Sequence, residues 1–502
     1  MSQAPFPLGS KANLADLNSV ASGTRKVSLG AAAVSCMAAS RRVLEKAASS
    51  GKAVYGVNTG FGDLATRRIS RDQLGALQRN LVLSHACGVG EPLSEEEARA
   101  ILFLRANEIA RGFSGARPEL TRLMARVVNS GAVPLIPSRG SVGASGDLAP
   151  QAHMALLLIG EGQALKKGRK IPARAALKAA GALPAVLQAK EGLSLLNGTQ
   201  AMQAVGGLSL VRAARVWRAA QIAGAMSLDA MTGTPEPFDE VVHQLKPHAG
   251  QILAARQLRG LLRGSKIRES HRENDPRVQD PYCLRCMPQA HGAAWDVLEN
   301  SRRAVETEMR AATDNPLVAG GRLISGGNFH GQALSFAFDA AAMAMTALAN
   351  ISERRLFHLV SGRAPGLKPF LARNPGLESG WMIAQVAAAA LASENKVLAH
   401  PASTDTIPTS AGQEDFVSMG MTAALKFRQI VWNAAQVAAV ELLAAAQGLE
   451  VHAPLRSGAG VEKARKLLRA KIPAAQGDEV LGPRMERARD LILDGYFEEV
   501  LP

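Results

Sequence analysis

Two stretches constrain the fold of this chain more than any others. Ala333–Ser361 contains neither glycine nor proline, and Val417–Gln447 is interrupted by Gly420 alone. Runs of that length without a breaker predict helices of about 30 residues, each roughly 45 Å long. Such helices outreach an ordinary domain and belong to extended bundles, often shared between subunits. The small residues of Ala434-Ala435-Gln436-Val437-Ala438-Ala439-Val440 let helices approach closely. Aromatics are only 4% of the chain, so small aliphatic residues must fill the core, which favours helices over sheets. The expected fold class is all-α.

The first half reads differently. Glycine, proline and polar residues divide it into shorter helices and ordered loops: Tyr55–Asp63, Pro137–Asp147 and a turn over Gly192–Thr199. Leu148–Gly160 reads as a helix with Pro150 in its first turn and Asp147 or a neighbour as its cap. The expected division is an N-terminal domain, 1–200, and a long-helix bundle, 201–502, with a helical extension from about Glu450.

Charge and cysteine usage narrow the function classes. A formal charge of +15 attracts anions, but no zinc-finger spacing, RNP-like motif or aromatic-interleaved basic stripe accompanies it. The basic run Lys463–Lys471 reads as one solvated face of an amphipathic helix. Four cysteines in 502 residues make no disulfide framework, and the Cys283/Cys286 pair lacks partners for a zinc site. The N-terminus has no signal-peptide core, and no uncharged apolar run reaches membrane-spanning length. A soluble cytoplasmic protein, binding neither membrane nor nucleic acid, is the expectation.

Ala144-Ser145-Gly146, inside GSVGASGDLAP, carries an unusual chemical option. The Gly146 nitrogen can attack the Ala144 carbonyl and close a five-membered ring. Loss of water from the ring and from Ser145 leaves an exocyclic methylene, an electrophile that no ordinary side chain supplies. The ring needs glycine because a Cβ would crowd the attack. Standing alone, the tripeptide is equally a flexible turn.

Removing ammonia from an amino acid needs an electrophile for the amine, a base for the weakly acidic β-hydrogen, a clamp for the carboxylate and a pocket for the ring. Candidates for each exist. Tyr55 lies in the glycine-rich YGVNTGFG and could act as a base if its environment lowered its pKa; otherwise it packs at a loop edge. His85, in LVLSHACG, is either a structural histidine or a ring contact. Asn197, in LLNGT, offers an amide to a carboxylate or amine, or simply forms an Asn-Gly turn. Gln279, Tyr282 and Arg285 stand at three-residue spacing in VQDPYCLRC, and arginine is suited to grip a carboxylate. Phe329 in SGGNFHG and Met382 in WMIAQV could wall a ring or fill core. Glu414, in GQEDF, could pair with an imidazole or favour the start of the following helix, with Asp415 as the alternative cap.

These motifs, in this order from about Tyr55 to Gln447, resemble the histidine and aromatic amino acid ammonia-lyases. The resemblance implies a fumarase/aspartase-like helical fold, a homotetramer with shared active sites, and conversion of Ala144-Ser145-Gly146 into 4-methylidene-imidazol-5-one, with no metal or diffusible cofactor. It implies that Tyr55 abstracts the β-hydrogen, that Arg285 clamps the carboxylate, that Tyr282 and Gln279 orient the substrate, and that Asn197 lies near the electrophile. Histidine-specific members carry Gln-Glu-Asp where this chain has Gln413-Glu414-Asp415, and histidine- and tyrosine-specific members alike carry a histidine where it has His85. Elimination of ammonia from L-histidine to trans-urocanate is therefore expected; tyrosine ammonia-lyase or aromatic 2,3-aminomutase activity is the alternative. The chain departs from the family pattern at Phe416 (usually His), Cys87 (usually Ala), Trp381 (usually Phe) and Ala290-His291 (usually Val-Met).

Overall fold

A computed structural model describes residues 3–49, 53–60, 62, 66–273, 275 and 277–501. Within the Tyr55–Asp63 loop, Phe61 and Asp63 lie outside the described residues. The fold is predominantly helical, with short strands in four small sheets. The helices that matter for function are α1 (Leu74–His85), α2 (Glu95–Ala110), α3 (Leu148–Leu158), α4 (Glu191–Leu196), α5 (Gln200–Ala230), α6 (Tyr282–Arg285), α7 (Met287–Met309), α8 (Gln332–Val360), α9 (Met382–Leu398) and α10 (Gly420–Glu450).

Local chemistry sets the boundaries. Ser94 and Glu97 form a reciprocal capping box that starts α2. The hairpin of Gln163–Lys166 with Arg169–Pro172 turns at Lys167-Gly168, both at positive φ (51° and 74°). Gly420, rather than Val417, opens α10, and Gln332 opens α8. The expected turn over Gly192–Thr199 is instead mostly helical, since Glu191–Leu196 forms α4.

α5 runs 31 residues although it contains Gly206, Gly207 and Gly224. Those glycines serve packing. A Cβ on Gly206 would lie 2.0 Å from the Phe338 ring, and one on Gly224 2.4 Å from the Met287 sulfur. The breaker rule underestimates helix length where a glycine is the only residue that lets another element lie against the backbone.

The chain divides into two compact units. One comprises Met1–Leu208, Arg302–Phe338 and Pro401–Leu425; the other comprises Ser209–Ser301, Asp339–His400 and Lys426–Pro502. In the first, α2 is buried along almost its whole length, including the Arg105–Glu108 pair (3.0 Å). In the second, Ala434, Ala435, Ala438 and Ala439 are all buried. The basic run lies on the helix Ala459–Lys471, which buries Val461, Ala464 and Leu468 and turns Lys463 and Lys466 outward. α8 and α10 are long and apolar enough to cross a bilayer, but both are mostly buried within the protein.

Candidate active site

The tripeptide sits in a loop whose backbone is forced into unusual angles. Gly143, Ser145 and Gly146 have φ of 87°, 51° and 79°. A positive φ is costly for serine and routine for glycine. The Gly146 N–H donates to the Gly143 carbonyl (3.2 Å). Gly198, at φ 140°, runs parallel beside it: its N–H donates to the Ser145 carbonyl (3.2 Å), and its carbonyl accepts from the Asp147 N–H (2.8 Å). A Cβ on Gly146 would lie 2.2 Å from the Gly198 oxygen. Any other residue at position 146 would push these two segments apart.

Asp147 stands at the N-cap position of α3, but its side chain makes no capping bond there. The carboxylate instead accepts from the Met202 N–H (2.8 Å) in the first turn of α5, and from the Ser141 hydroxyl (2.9 Å). Burial pushes its pKa up to about 6, against the pull of those donors. The expected local cap is thus spent on a helix about fifty residues away. Gln151, fully buried on α3, donates from Nε2 to the carbonyls of Leu196 and Gly198, both at 2.8 Å. These bonds fix the segment carrying Asn197. The Asn197 amide, buried at the end of α4, donates to the Asn315 carbonyl (3.0 Å).

Glu414 approaches the tripeptide directly. Its Oε1 accepts from the Ser145 hydroxyl at 3.5 Å, and its Oε2 from the Thr409 hydroxyl at 2.8 Å. Thr409 and Glu414 also pair through their backbones around a turn with Ser410, Ala411 and Gly412 at positive φ. The carboxylate therefore faces the tripeptide rather than the start of α10. That start is served by Ser418, whose hydroxyl accepts from the Gly420 N–H (3.3 Å), and not by Asp415.

Tyr55 and His85 both lie within the field of Glu414. The Tyr55 phenol is raised above its ordinary pKa, chiefly by burial and further by Glu414, while the Gly62 N–H opposes the shift. The environment supplied by this chain thus raises the phenol's pKa, the opposite of what a base requires. His85, at the end of α1, is lowered by burial, opposed by its bond to the Leu81 carbonyl and by Glu414; Ser84 Oγ lies 3.0 Å from its Nδ1. Phe329 is half-buried in the turn before His330. The His330 ring stacks on Phe416 (centroids 5.6 Å apart, planes 10° apart), with Nε2 3.3 Å from the Phe416 carbonyl.

The remaining candidates belong to the second unit. The Arg285 guanidinium lies 4.6 Å from the centroid of the Tyr282 ring, and its buried Nε has no hydrogen-bond partner. Both line a cavity of about 460 Å³ together with Gln279, Arg277, His358 and Arg363. Tyr282 is 71% exposed and Gln279 is also exposed. Met382 is the first residue of α9, preceded by Trp381, whose N–H donates to the Phe370 carbonyl (2.9 Å). All four cysteines are free thiols, and among the described residues no cluster of His, Cys, Asp and Glu could hold a metal ion.

The sequence reading missed Thr409, Gln151 and Gly198 as determinants of the site. Gly198 could have been found, because an Asn-Gly pair marks a residue at positive φ. Thr409 and Gln151 carry no local signal; they act through partners distant in the chain.

The chain is similar to known proteins over nearly its whole length. The family model "Aromatic amino acid lyase" matches residues 12–470. A histidine ammonia-lyase of Stigmatella aurantiaca is 52% identical over 475 residues, covering 94% of this chain and 93% of the relative. The crystal structure of histidine ammonia-lyase from Trypanosoma cruzi superimposes with a TM-score of 0.91 at 39% identity, covering 99% of this chain and 94% of that one. Tyrosine aminomutase from Streptomyces globisporus superimposes with a TM-score of 0.94 at 34% identity, covering 99% and 98%.

Proposed function

The chain belongs to the aromatic amino acid lyase family, whose members cleave carbon–nitrogen bonds, and from that premise we propose that it eliminates ammonia from L-histidine to give trans-urocanate. The observation that carries the substrate is Glu414. Thr409 holds this carboxylate beside Ser145, with its charge acting on His85, where it can accept from an imidazole N–H or pair with an imidazolium. An uncharged phenyl ring would have no use for it.

The tripeptide fits its expected conversion to 4-methylidene-imidazol-5-one: the space where a Cβ at 146 would stand is filled by the Gly198 carbonyl, and Ser145 is already bent to positive φ. That group supplies an electrophile for the substrate amine. In the assembled enzyme, whose sites the family resemblance implies are shared between subunits, Arg285 would grip the substrate carboxylate, and Tyr282 and Gln279 would orient it. Asn197 lies beside the amine, while Phe329, Met382, His85 and Glu414 enclose the ring. Tyr55 takes the β-proton, the Cα–N bond breaks, and the double bond forms between the two carbons. To accept a proton the phenol must first be ionised, which a cation beside it in the assembled site would favour; the electron pair of the Cα–N bond leaves with ammonia.

The working enzyme is a homotetramer of the cytoplasm with shared active sites. Apolar side chains exposed on the isolated chain support assembly: Phe336, Met343 and Phe357 at seven- and fourteen-residue spacing on α8, and Ile383, Val386 and Val397 on α9. Incubation with L-histidine tests the reading: appearance of urocanate and ammonia supports it. Coumarate from L-tyrosine, or a β-amino acid product, without urocanate would overturn the substrate assignment.

A further inference from the structure

His291 is fully buried in α7, six residues beyond Arg285, and makes a side-chain bond from each ring nitrogen. Nε2 lies 3.1 Å from Arg355 Nη1, and Nδ1 lies 2.6 Å from Gln221 Oε1. A guanidinium has no acceptor, so Nε2 must be the unprotonated nitrogen; Nδ1–H then donates to the Gln221 oxygen. Both positions are filled, and a second proton on the ring would point at a cation. The same Arg355 Nη1 donates to the Cys283 carbonyl (3.5 Å) inside α6, the helical turn that bears Tyr282 and Arg285. The His291 carbonyl in turn accepts from Trp217 Nε1 (2.7 Å). His291 and Arg355 therefore tie the α6–α7 corner to α5 and α8.

We propose that His291 is a proton-linked latch for the segment bearing Tyr282 and Arg285: as a neutral imidazole it holds the α6–α7 corner closed, and it takes up a proton only when that corner opens. The functional meaning of the latch rests on the reading of Arg285 as the carboxylate clamp; the latch itself does not. Each packed element contributes to its surroundings. α8 presents Arg355 and α10 presents Glu441, which binds Arg355 through Nε and Nη2 at 2.5 and 2.9 Å. α6 presents the Cys283 thiol, raised to about 11 by burial, and α7 itself presents Asp296, whose carboxylate accepts from the Gly250 N–H. α5 offers only neutral Gln221 and Trp217, and the helix Ala249–Leu262 offers neutral Gln251 and Gln257. Glu441 is occupied by Arg355, Ser227 and Ser352, and Asp296 by the Gly250 N–H, so among the described residues no carboxylate is bonded to either ring nitrogen.

Burial, and secondly Arg355, hold His291 well below its ordinary pKa. A histidine lowered in this way favours the closed state fully above about pH 6.5, and the advantage is lost as pH falls below that value. The open population of the corner should then grow about tenfold for each pH unit below 6.5.

Hydrogen–deuterium exchange on the full-length assembled protein, followed over residues 282–295 from pH 7.5 to 5 and corrected for intrinsic exchange, tests this. The expected result is protection that falls about tenfold per unit below pH 6.5 in the wild type and a flat profile in His291→Met. His291→Gln, which keeps an acceptor for Arg355 but does not titrate, should also be flat and covers the case in which the methionine variant fails to fold. A flat wild-type profile, or the same slope in a folded variant, overturns the latch. Arg285→Lys separates the two readings: an unchanged KM for histidine would sink the clamp, while the exchange slope would still decide the latch.

Discussion

The tripeptide loop of the first unit, half-buried at Ala144 and Ser145, and the fully buried Arg355 cluster of the second are both polar and tightly held, but by different means. The loop is fixed chiefly by backbone: positive φ at Gly143, Ser145, Gly146 and Gly198, and N–H-to-carbonyl bonds between two segments in van der Waals contact, braced by the Gln151 and Asp147 side chains. The cluster is fixed by side chains: Arg355, Glu441, His291, Ser227 and Ser352 converge from regular helices without strained dihedrals. The difference follows from the tasks we propose for the two regions. Where the backbone itself is to react, glycine and main-chain hydrogen bonds must hold it. Where a side chain is to grip a charged substrate, buried charge must hold the element that carries it.

The largest expected effect breaks the first half of this comparison. Gly146→Ala places a Cβ 2.2 Å from the Gly198 carbonyl at φ 79°. The variant should keep the full sequence mass, whereas the wild type should be lighter by two waters. Turnover of histidine should fall about 1,000-fold or more, at least about 4 kcal/mol of barrier. Intact-mass spectrometry and a urocanate assay check both outcomes. A variant that still lost two waters would show that the glycine is not needed for closure.

The next effect breaks the second half. Glu441→Gln leaves Arg355 buried with its countercharge removed, which should cost about 3–5 kcal/mol of stability. Chemical denaturation measures it. The folded fraction of this variant should still lose both waters, because the loop is held by its own backbone. An unmodified mass in folded Glu441→Gln would mean that the two regions are not independently built.

The sequence made the first kind of region far more legible than the second. Long helices were visible because breakers are local, and the demand for glycine at 146 followed from ring chemistry within three residues. Glu414 was readable as a carboxylate in a glycine-flanked loop, though not that Thr409 would turn it toward Ser145. Sequence offers Asp147 or a neighbour as the cap of its own helix; the Asp147 carboxylate instead binds the Ser141 hydroxyl and the N–H of Met202, and nothing local marks a bond across fifty residues. Arg355 and Glu441 look like ordinary charges on two long helices. Only the packing of those helices makes them a pair, so pattern reading along the chain had no access to it. The same limit applied to α5, whose glycines signal a break locally and close contact in the folded protein.

The smallest effect tests how far the backbone-held region depends on an aromatic contact at its edge. Phe416 lies two residues beyond Glu414 and stacks on His330, which also approaches the Phe416 carbonyl. The loop around it is also anchored by Val417 N–H on the Thr406 hydroxyl (2.9 Å) and by Met419 N–H on the Val142 carbonyl (2.9 Å). An aromatic stack of this kind contributes about 0.5–1.5 kcal/mol. If the stack sets the position of Glu414, Phe416→Ala should raise KM for histidine about 2- to 12-fold, the range that energy spans, and leave kcat nearly unchanged. Phe416→Tyr keeps the ring and should restore the wild-type KM. The 3.5 Å contact between Ser145 and Glu414 leaves room for such a shift without loss of the carboxylate from the site. Steady-state kinetics of the two variants decide the matter. A loss as large as that of Gly146→Ala would mean that the loop leans on this stack as heavily as Arg355 leans on Glu441, and the contrast between the two regions would fail.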